Sequence, residues 1–310
     1  MIRPDSIKYQ LLEMIGICGE FPAEQLNRFI ESTSYAEKVI TDLKQSKLIR
    51  THYKDGLRGY RLTKQAKEML LLQNPCRFQN YLTGNAETNL IRSELPRRLR
   101  LHQKAETYLT FSHAGIPLFP DEKAQIFSPS CEAVSFSMRS LPLFYSSREI
   151  KLLGAATTKI KNSRSMGILL APHCVYAIYN TGNTLLKWEY KTEVRLNAFL
   201  QHYLQGLPYH GPPTVYAIMT GSDMDVAFRL LISTGGYKKT LFIHCKSKPF
   251  LNLSPHLLRC FHWCPPKQFR SSHIYKRLIY RVLFHCGRIL LQNSHKSFGT
   301  PLIQSIIRRH

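Results

Sequence analysis

Residues 47–63 read KLIRTHYKDGLRGYRLT. Two half-apolar runs, Leu48 to Tyr53 and Leu57 to Thr63, flank Lys54-Asp55-Gly56. Asp-Gly between alternating runs signals a tight hairpin, because the turn needs positive φ and Gly supplies it freely. The tip carries Lys54 and Arg58, with Arg50 and Arg61 close by. What such a hairpin is for depends on what surrounds it.

Upstream, the spacing predicts three helices. Ile7, Leu11, Leu12, Ile15 and Ile17 form one apolar stripe, ended by Gly19 and Pro22. A short helix follows over Ala23 to Ile30, with Leu26, Phe29 and Ile30 inward. Ser34-Tyr35-Ala36-Glu37 reads as a capping box, in which the Ser hydroxyl takes an orphan amide and the Glu reaches back. It opens a third helix that buries Ala36, Val39, Ile40 and Leu43. Beyond the hairpin, Thr63 caps a fourth helix, Lys64 to Leu72, with Ala66, Met69 and Leu70 inward. Three helices, a hairpin and a closing helix are the order of a winged helix-turn-helix over residues 1–73. The hairpin is then the wing, placed to sit on a phosphate backbone beside the groove that receives the third helix. The candidate DNA-binding residues are Ser34, Tyr35, Lys38, Thr41 and Gln45 on that helix, and Lys54, Arg58 and Tyr60 on the wing. Asp42 on the same helix would be repelled by phosphate unless it accepts from a cytosine amino group or pairs with Lys38. The plainer alternative is a wing that serves as a protein contact or as a structural hairpin.

Composition favours the first reading. The chain has 310 residues, a formal net charge of +23 and 44% hydrophobic residues. That is enough apolar content for packed cores, and the charge calls for a polyanionic partner, nucleic acid before membrane. Met1 is not followed by a signal-peptide pattern, and no apolar run approaches the ~20 residues that span a bilayer. A cytoplasmic location follows as the expectation, with the eight cysteines as reduced thiols.

Residues 74–130 read as a helical linker region. Asn74-Pro75 and Gly84-Asn85 mark turns, and helical periodicity resumes over Pro96 to Ala114. Arg97, Arg98, Arg100, His102 and Lys104 crowd the start of that helix, against its dipole, either to meet a ligand or to solvate a face. Residues 131–239 read as an α/β domain. Strand-like runs at Met166 to Ala171, Val175 to Tyr179 and Thr184 to Trp188 precede an amphipathic helix from Glu189 to Leu204. A strand at Val215 to Met219 and a helix at Met224 to Ile232 follow. Meander, crossover helix and further strand are an order shared with restriction-endonuclease-like cores.

A metal-dependent nuclease of that kind needs an Asp and a Glu-x-Lys on neighbouring strands, so that two carboxylates hold Mg²⁺. Glu189-Tyr190-Lys191 supplies the second half, but it opens a helix, and no Asp or Glu lies between Glu149 and Glu189. There is no Gly-x-Ser-x-Gly elbow, no P-loop and no Gly-x-Gly-x-x-Gly. The expectation is therefore no catalytic residue, no metal and no cofactor. Residues 240–310 form an atypical basic tail. No acidic residue follows Asp225, and His256, Cys260, His262 and Cys264 match no standard zinc spacing. A basic arm on DNA, a disordered end and an out-of-frame end all fit that composition.

The segments GICGEFPAEQL, SYAEKVITDLK, DGLRGYRLTKQAKEML, LRLHQKAETYL and FYSSREIKLLG resemble the replication-relaxation family, which is carried by plasmids and integrative conjugative elements of Firmicutes. So do SRSMGILLAPHCVYAIYNTGNTLLKWEYKTEVR and GSDMDVAFRLLISTGGYKK. The likeness runs from about Ile7 to Lys239. It implies a DNA-binding winged helix followed by a nuclease-like domain, in the service of plasmid replication or transfer. Many members carry Arg-Pro-Asp and a later acidic pair, whereas here Arg164 precedes Ser165-Met166 and Tyr179-Asn180 stands where acids are expected. The expected protein is an accessory DNA-binding protein of a mobile genetic element with an inactive nuclease-like domain. Its partners would be double-stranded DNA and other proteins of the element, with no membrane. The alternatives are a winged-helix transcriptional regulator, an active metal-dependent nuclease and a protein-interaction module.

Overall fold

A computed structural model describes residues 2–83, 94–127, 141–171, 174–182, 189–205, 211–221 and 240–244. All belong to one unit, Met1–Pro255. The fold is mixed α+β, with eight helices and two sheets among the described residues.

The N-terminal part follows local chemistry closely. The helix α1 (Ile7–Cys18) is capped by the Ser6 hydroxyl, which accepts from the Tyr9 amide, and it ends at Gly19 with φ 89°. Then come a short strand β1 (Phe21–Pro22), a 3₁₀ turn and the short helix α2 (Leu26–Phe29). The helix α3 (Thr33–Gln45) is capped by Ser32, not Ser34: its side chain accepts from the Tyr35 amide at 3.4 Å. Ser34 Oγ sits 3.3 Å from Ser32 Oγ and stays exposed. The hairpin pairs β2 (Ile49–Lys54) with β3 (Leu57–Leu62). Its turn has only two residues, Asp55 and Gly56, with φ 53° and 75°. Positive φ at both central residues matches the right-handed twist of the strands. The helix α4 (Lys64–Gln73) starts at Thr63, whose hydroxyl accepts from the Ala66 amide.

Within the stretch read as a helical linker region, the described residues form helices with buried faces. The helix α5 (Pro75–Leu82) buries Phe78, Tyr81 and Leu82. Arg77 on it reaches Glu13 at 2.7 Å and Asp121 at 2.8 Å, and lies 4.1 Å over the Phe119 ring. The long helix α6 (Leu95–His113) has two buried sides. One packs on α1 and β1. The other packs on the second sheet, where Tyr108 and Phe111 meet the Phe144 ring at 5.4 and 4.8 Å between centroids.

The second sheet has the order β4-β5-β6-β7-β8, with β4 (Leu143–Ser146), β5 (Gly167–Ala171), β6 (Cys174–Gly182), β7 (Thr214–Gly221) and β8 (Thr240–His244). The first two pairings are antiparallel and the last two parallel. A capping box at Ser146 and Glu149 starts the short helix α7 (Ser147–Ile150), which runs into a 3₁₀ stretch, Lys151–Ile160. The crossover helix α8 (Tyr190–Tyr203) covers one sheet face, packing Leu196 and Leu200 onto Val175, Ala177, Val215 and Ala217. With α6 on the opposite face, β5 and β6 are buried on both sides, which is why they read as continuous apolar runs.

Two boundaries move. The strand beside β5 is Leu143–Ser146, which is not among the strand-like runs read from the sequence. Thr240–His244, assigned to the tail, pairs with β7 as the strand β8. A parallel strand needs only a short apolar run, and Leu241-Phe242-Ile243 carries no periodic mark. The expected strand Thr184 to Trp188, the expected helix Met224 to Ile232 and the His-Cys cluster of the tail lie outside the described residues.

Gly167 is required by space rather than by φ. A Cβ there would press into the Tyr145 carbonyl oxygen and the Phe144 ring. Both belong to the paired strand β4, so neither yields without opening the sheet. Gly167→Ala is expected to cost about 1–3 kcal/mol. A urea midpoint unchanged from wild type would contradict this.

Candidate nucleic-acid interface

The α3 helix buries Ala36, Val39, Ile40 and Leu43. Ser34, Lys38, Thr41 and Gln45 then follow at helical spacing on the opposite face, and all are exposed. Tyr35 lies toward one edge and is 46% exposed. The Thr41 hydroxyl donates to the Glu37 carbonyl at 2.9 Å, so what it offers outward is an acceptor. Asp42 is neutralised from outside the helix, by Lys8 of α1 at 2.7 Å, and not by Lys38. Glu37 remains exposed beside the row.

Strand alternation decides which hairpin residues join this face. The register pairs Tyr53 with Arg58, Thr51 with Tyr60 and Ile49 with Leu62, so these six side chains share one side. Lys44 of α3 lies 5.8 Å over the Tyr60 ring, which places that side toward α3. Arg58 therefore lies on the hairpin side that faces α3. Tyr53, which sequence reading passed over, stands there too and is 71% exposed. Cross-strand pairing about a two-residue turn was the signal that would have found it. Lys54 is exposed but alternates to the other side, so the hairpin does not bring it together with the rest.

Tyr60 must be withdrawn from the candidate residues. It is 4% exposed, and burial raises its hydroxyl above the ordinary range, with Arg58 pulling the other way. The cause is β1. Phe21 pairs with Tyr60, so β3 is the central strand of a three-stranded sheet and not one edge of a free hairpin.

The other side of the hairpin faces an internal charge cluster. Glu20 accepts from Arg61 Nε at 2.8 Å and from Arg98 Nη2 at 2.6 Å, and His102 Nε2 lies 2.9 Å from its Oε1. Burial alone would raise the Glu20 carboxyl, but the hydrogen bonds from His102, Arg98 and Arg61 outweigh it and hold the group at about 2. Arg98 also donates to the carbonyls of Lys54 at 2.7 Å, His52 at 3.1 Å and Leu57 at 3.0 Å. The guanidinium thus satisfies both strands around the turn and a carboxylate outside the hairpin. Arg98 and His102 are buried, so they are not the ligand-facing cations that the start of α6 suggested. They set the angle of the hairpin.

The described strands of the second sheet carry no acidic side chain: none of the residues of β4 to β8 is Asp or Glu. Tyr179 and Asn180 are structural ties. The Tyr179 hydroxyl donates to Glu193 at 2.7 Å, and Asn180 Nδ2 donates to the Gln103 carbonyl at 3.2 Å and to Glu106 at 3.0 Å. Glu193 also accepts from the Ser163 hydroxyl and the Arg164 amide, and burial raises its carboxyl. Glu189 is exposed at the N-cap position of α8. Among the described residues, no three His, Cys, Asp or Glu side chains gather in a metal-holding geometry, and no helix is long and apolar enough to cross a membrane.

No protein-family model, no curated protein and no solved structure matches this chain.

Proposed function

We propose that this protein binds duplex DNA as a winged helix-turn-helix protein, with α3 as the groove-reading helix and the β2–β3 hairpin as its wing. The observation that carries the reading is the exposed row Ser34, Lys38, Thr41 and Gln45, continued by Arg58 and Tyr53 on the hairpin side that faces α3. A row of donors and acceptors with flanking cations suits base edges and phosphates together. The +23 charge of the chain supplies the sequence-independent attraction.

The antiparallel pairs β4-β5-β6, the crossover α8 and the parallel β7 support reading the second sheet as a restriction-endonuclease-like core. In this reading the nuclease-like domain is inactive and serves as a scaffold. Together with the resemblance of residues 7–239 to replication-relaxation proteins, this supports an accessory role in the replication, relaxation or transfer of a mobile element.

The test is fluorescence anisotropy of the full chain on labelled duplexes across a salt series. Each phosphate contact contributes about −0.9 to the slope of log affinity against log salt. Lys38→Ala and Arg58→Ala are each expected to flatten the slope by about 1 and to weaken binding roughly 8-fold at 0.1 M salt. Lys64→Ala, on α4 beside Glu68, serves as the control and should change neither. Absence of binding to any duplex at low salt would sink the DNA reading and leave a protein partner for the same surface.

A further inference from the structure

A second concentration of positive charge lies far along the chain from α3. Arg100 and Lys104 stand one turn apart on α6. Arg148 is on α7, Lys151 opens the 3₁₀ stretch, and Lys161 and Arg164 follow its end. Three contacts draw these together. Arg100 Nη2 donates to the Ser163 carbonyl at 3.3 Å. Lys104 Nζ and the Arg148 guanidinium both lie over the Tyr81 ring, at 5.3 and 5.7 Å. Arg148 and Lys151 are three residues apart across a helical junction.

The charges act on one another. Lys151 is lowered by desolvation first, and then by Arg100, Lys161 and Arg148. Arg100 is lowered by desolvation and by Arg164, with Glu193 opposing. Lys104 is brought down to about 8 by desolvation, with Arg148 and Arg100 adding to it and Cys18 and Glu149 opposing.

Among the described residues, Glu149 and Glu193 act on these cations, and both also hold other groups. Glu149 is paired with Lys123 at 3.0 Å and accepts from the Ser146 amide at 2.8 Å. Glu193 holds Tyr179, Ser163 and the Arg164 amide. Cations from three segments lie close together here and repel one another, and a bound anion would relieve that repulsion. Guanidinium forks backed by rim lysines are the donor set that phosphate oxygens fit.

We propose that Arg100, Arg148, Lys151 and Lys161 form a second binding site, for the phosphodiester backbone of a nucleic acid. It rests on the DNA-binding reading only for the identity of the polyanion. The strand it holds is either the flank of the duplex bound by α3 and the hairpin or a separate one, and the length of the probe separates these.

The experiment compares the full-length wild type with Lys151→Ala/Lys161→Ala, on 12- and 40-base-pair duplexes over a salt series. Lys151 and Lys161 are exposed, so the double variant should fold, and relief of repulsion should leave its low-salt Tm equal to or above that of wild type. The expected result is a loss of roughly tenfold or more at 0.1 M salt and a slope flatter by 1 to 2. If the loss appears only on the long duplex, the site holds the flank of one duplex. If it appears on both lengths, the site holds a strand of its own. A double variant that binds both probes as tightly as wild type, with the same slope, overturns the second site and leaves the α3 reading intact. Loss in this variant, together with wild-type affinity in Lys38→Ala/Arg58→Ala, keeps the second site and overturns the α3 reading. Failure of the wild type to bind either duplex overturns both.

Discussion

Glu20→Ala is expected to cost about 3–5 kcal/mol, enough to unfold much of the population of a domain of ordinary stability. The side chain is fully buried and is the shared partner of Arg61 and Arg98, with side-chain exposures of 6% and 0%. Removing it takes the shared carboxylate away from two buried guanidinium groups, which costs more than the pair itself contributes. Glu20→Gln keeps the shape and removes the charge, so it should fall almost as far.

The same group predicts a pH dependence. Its carboxyl is held at about 2, against an ordinary 4.5. A depressed carboxyl stabilises fully above its unfolded value, and that stabilisation is lost as pH falls from 4.5 toward 2. The loss is about 3 kcal/mol at 1.36 kcal/mol per unit. Glu13 and Glu193 are raised by burial, so their contributions have the opposite sign and favour the folded state as pH falls. The difference between wild-type and Glu20→Gln unfolding curves, taken from pH 6 to pH 2.5, isolates the Glu20 part. A difference below about 1 kcal/mol at pH 6 would mean that the cluster does not hold the fold together.

Arg98→Ala should cost about 3–5 kcal/mol as well, by another route. It orphans the carbonyls of His52, Lys54 and Leu57 and leaves Glu20 with Arg61 and His102. The informative companion is Arg98→Lys. It keeps the charge but replaces a fork of N–H donors by a point donor that cannot serve both strands and the carboxylate. Amide exchange in β2 and β3 should then accelerate more than exchange in α3, and duplex affinity should fall although residue 98 is buried. Equal protection of hairpin and helix in Arg98→Lys would show that the clamp does not govern the hairpin. Because Glu20 and Arg98 share one network, Glu20→Ala/Arg98→Ala should cost clearly less than the sum of the single changes.

Local chemistry was enough for the helices and the hairpin of the first 73 residues. The Asp55-Gly56 turn, the Thr63 cap, Gly19 at the end of α1 and the apolar stripe of α3 are short-range events, and each stands within a residue or two of its expected place. The exposed row on α3 was legible for the same reason, since helical spacing alone separates Lys38 and Gln45 from Val39 and Leu43. Even here a rival of equal local quality displaced one assignment. Ser32 and Ser34 are both good caps, and Ser32 took the role.

What only the tertiary structure decided were the partners of charged and aromatic side chains. Tyr60 is buried because Phe21, 39 residues upstream, adds a third strand. Arg98 is interior because the hairpin carbonyls and Glu20 offer it more bonds than a solvated position needs. Asp42 is neutralised by Lys8 rather than by its helix neighbour Lys38. Arg100 on α6 meets the Ser163 carbonyl, 63 residues on, and lies close enough to Lys151 to lower it, which no spacing rule connects. Periodicity reports which side of an element is buried; it carries no information about which distant group will satisfy a donor there. That choice is made when the elements pack, because a buried charge or hydrogen-bonding group left without a partner costs several kcal/mol.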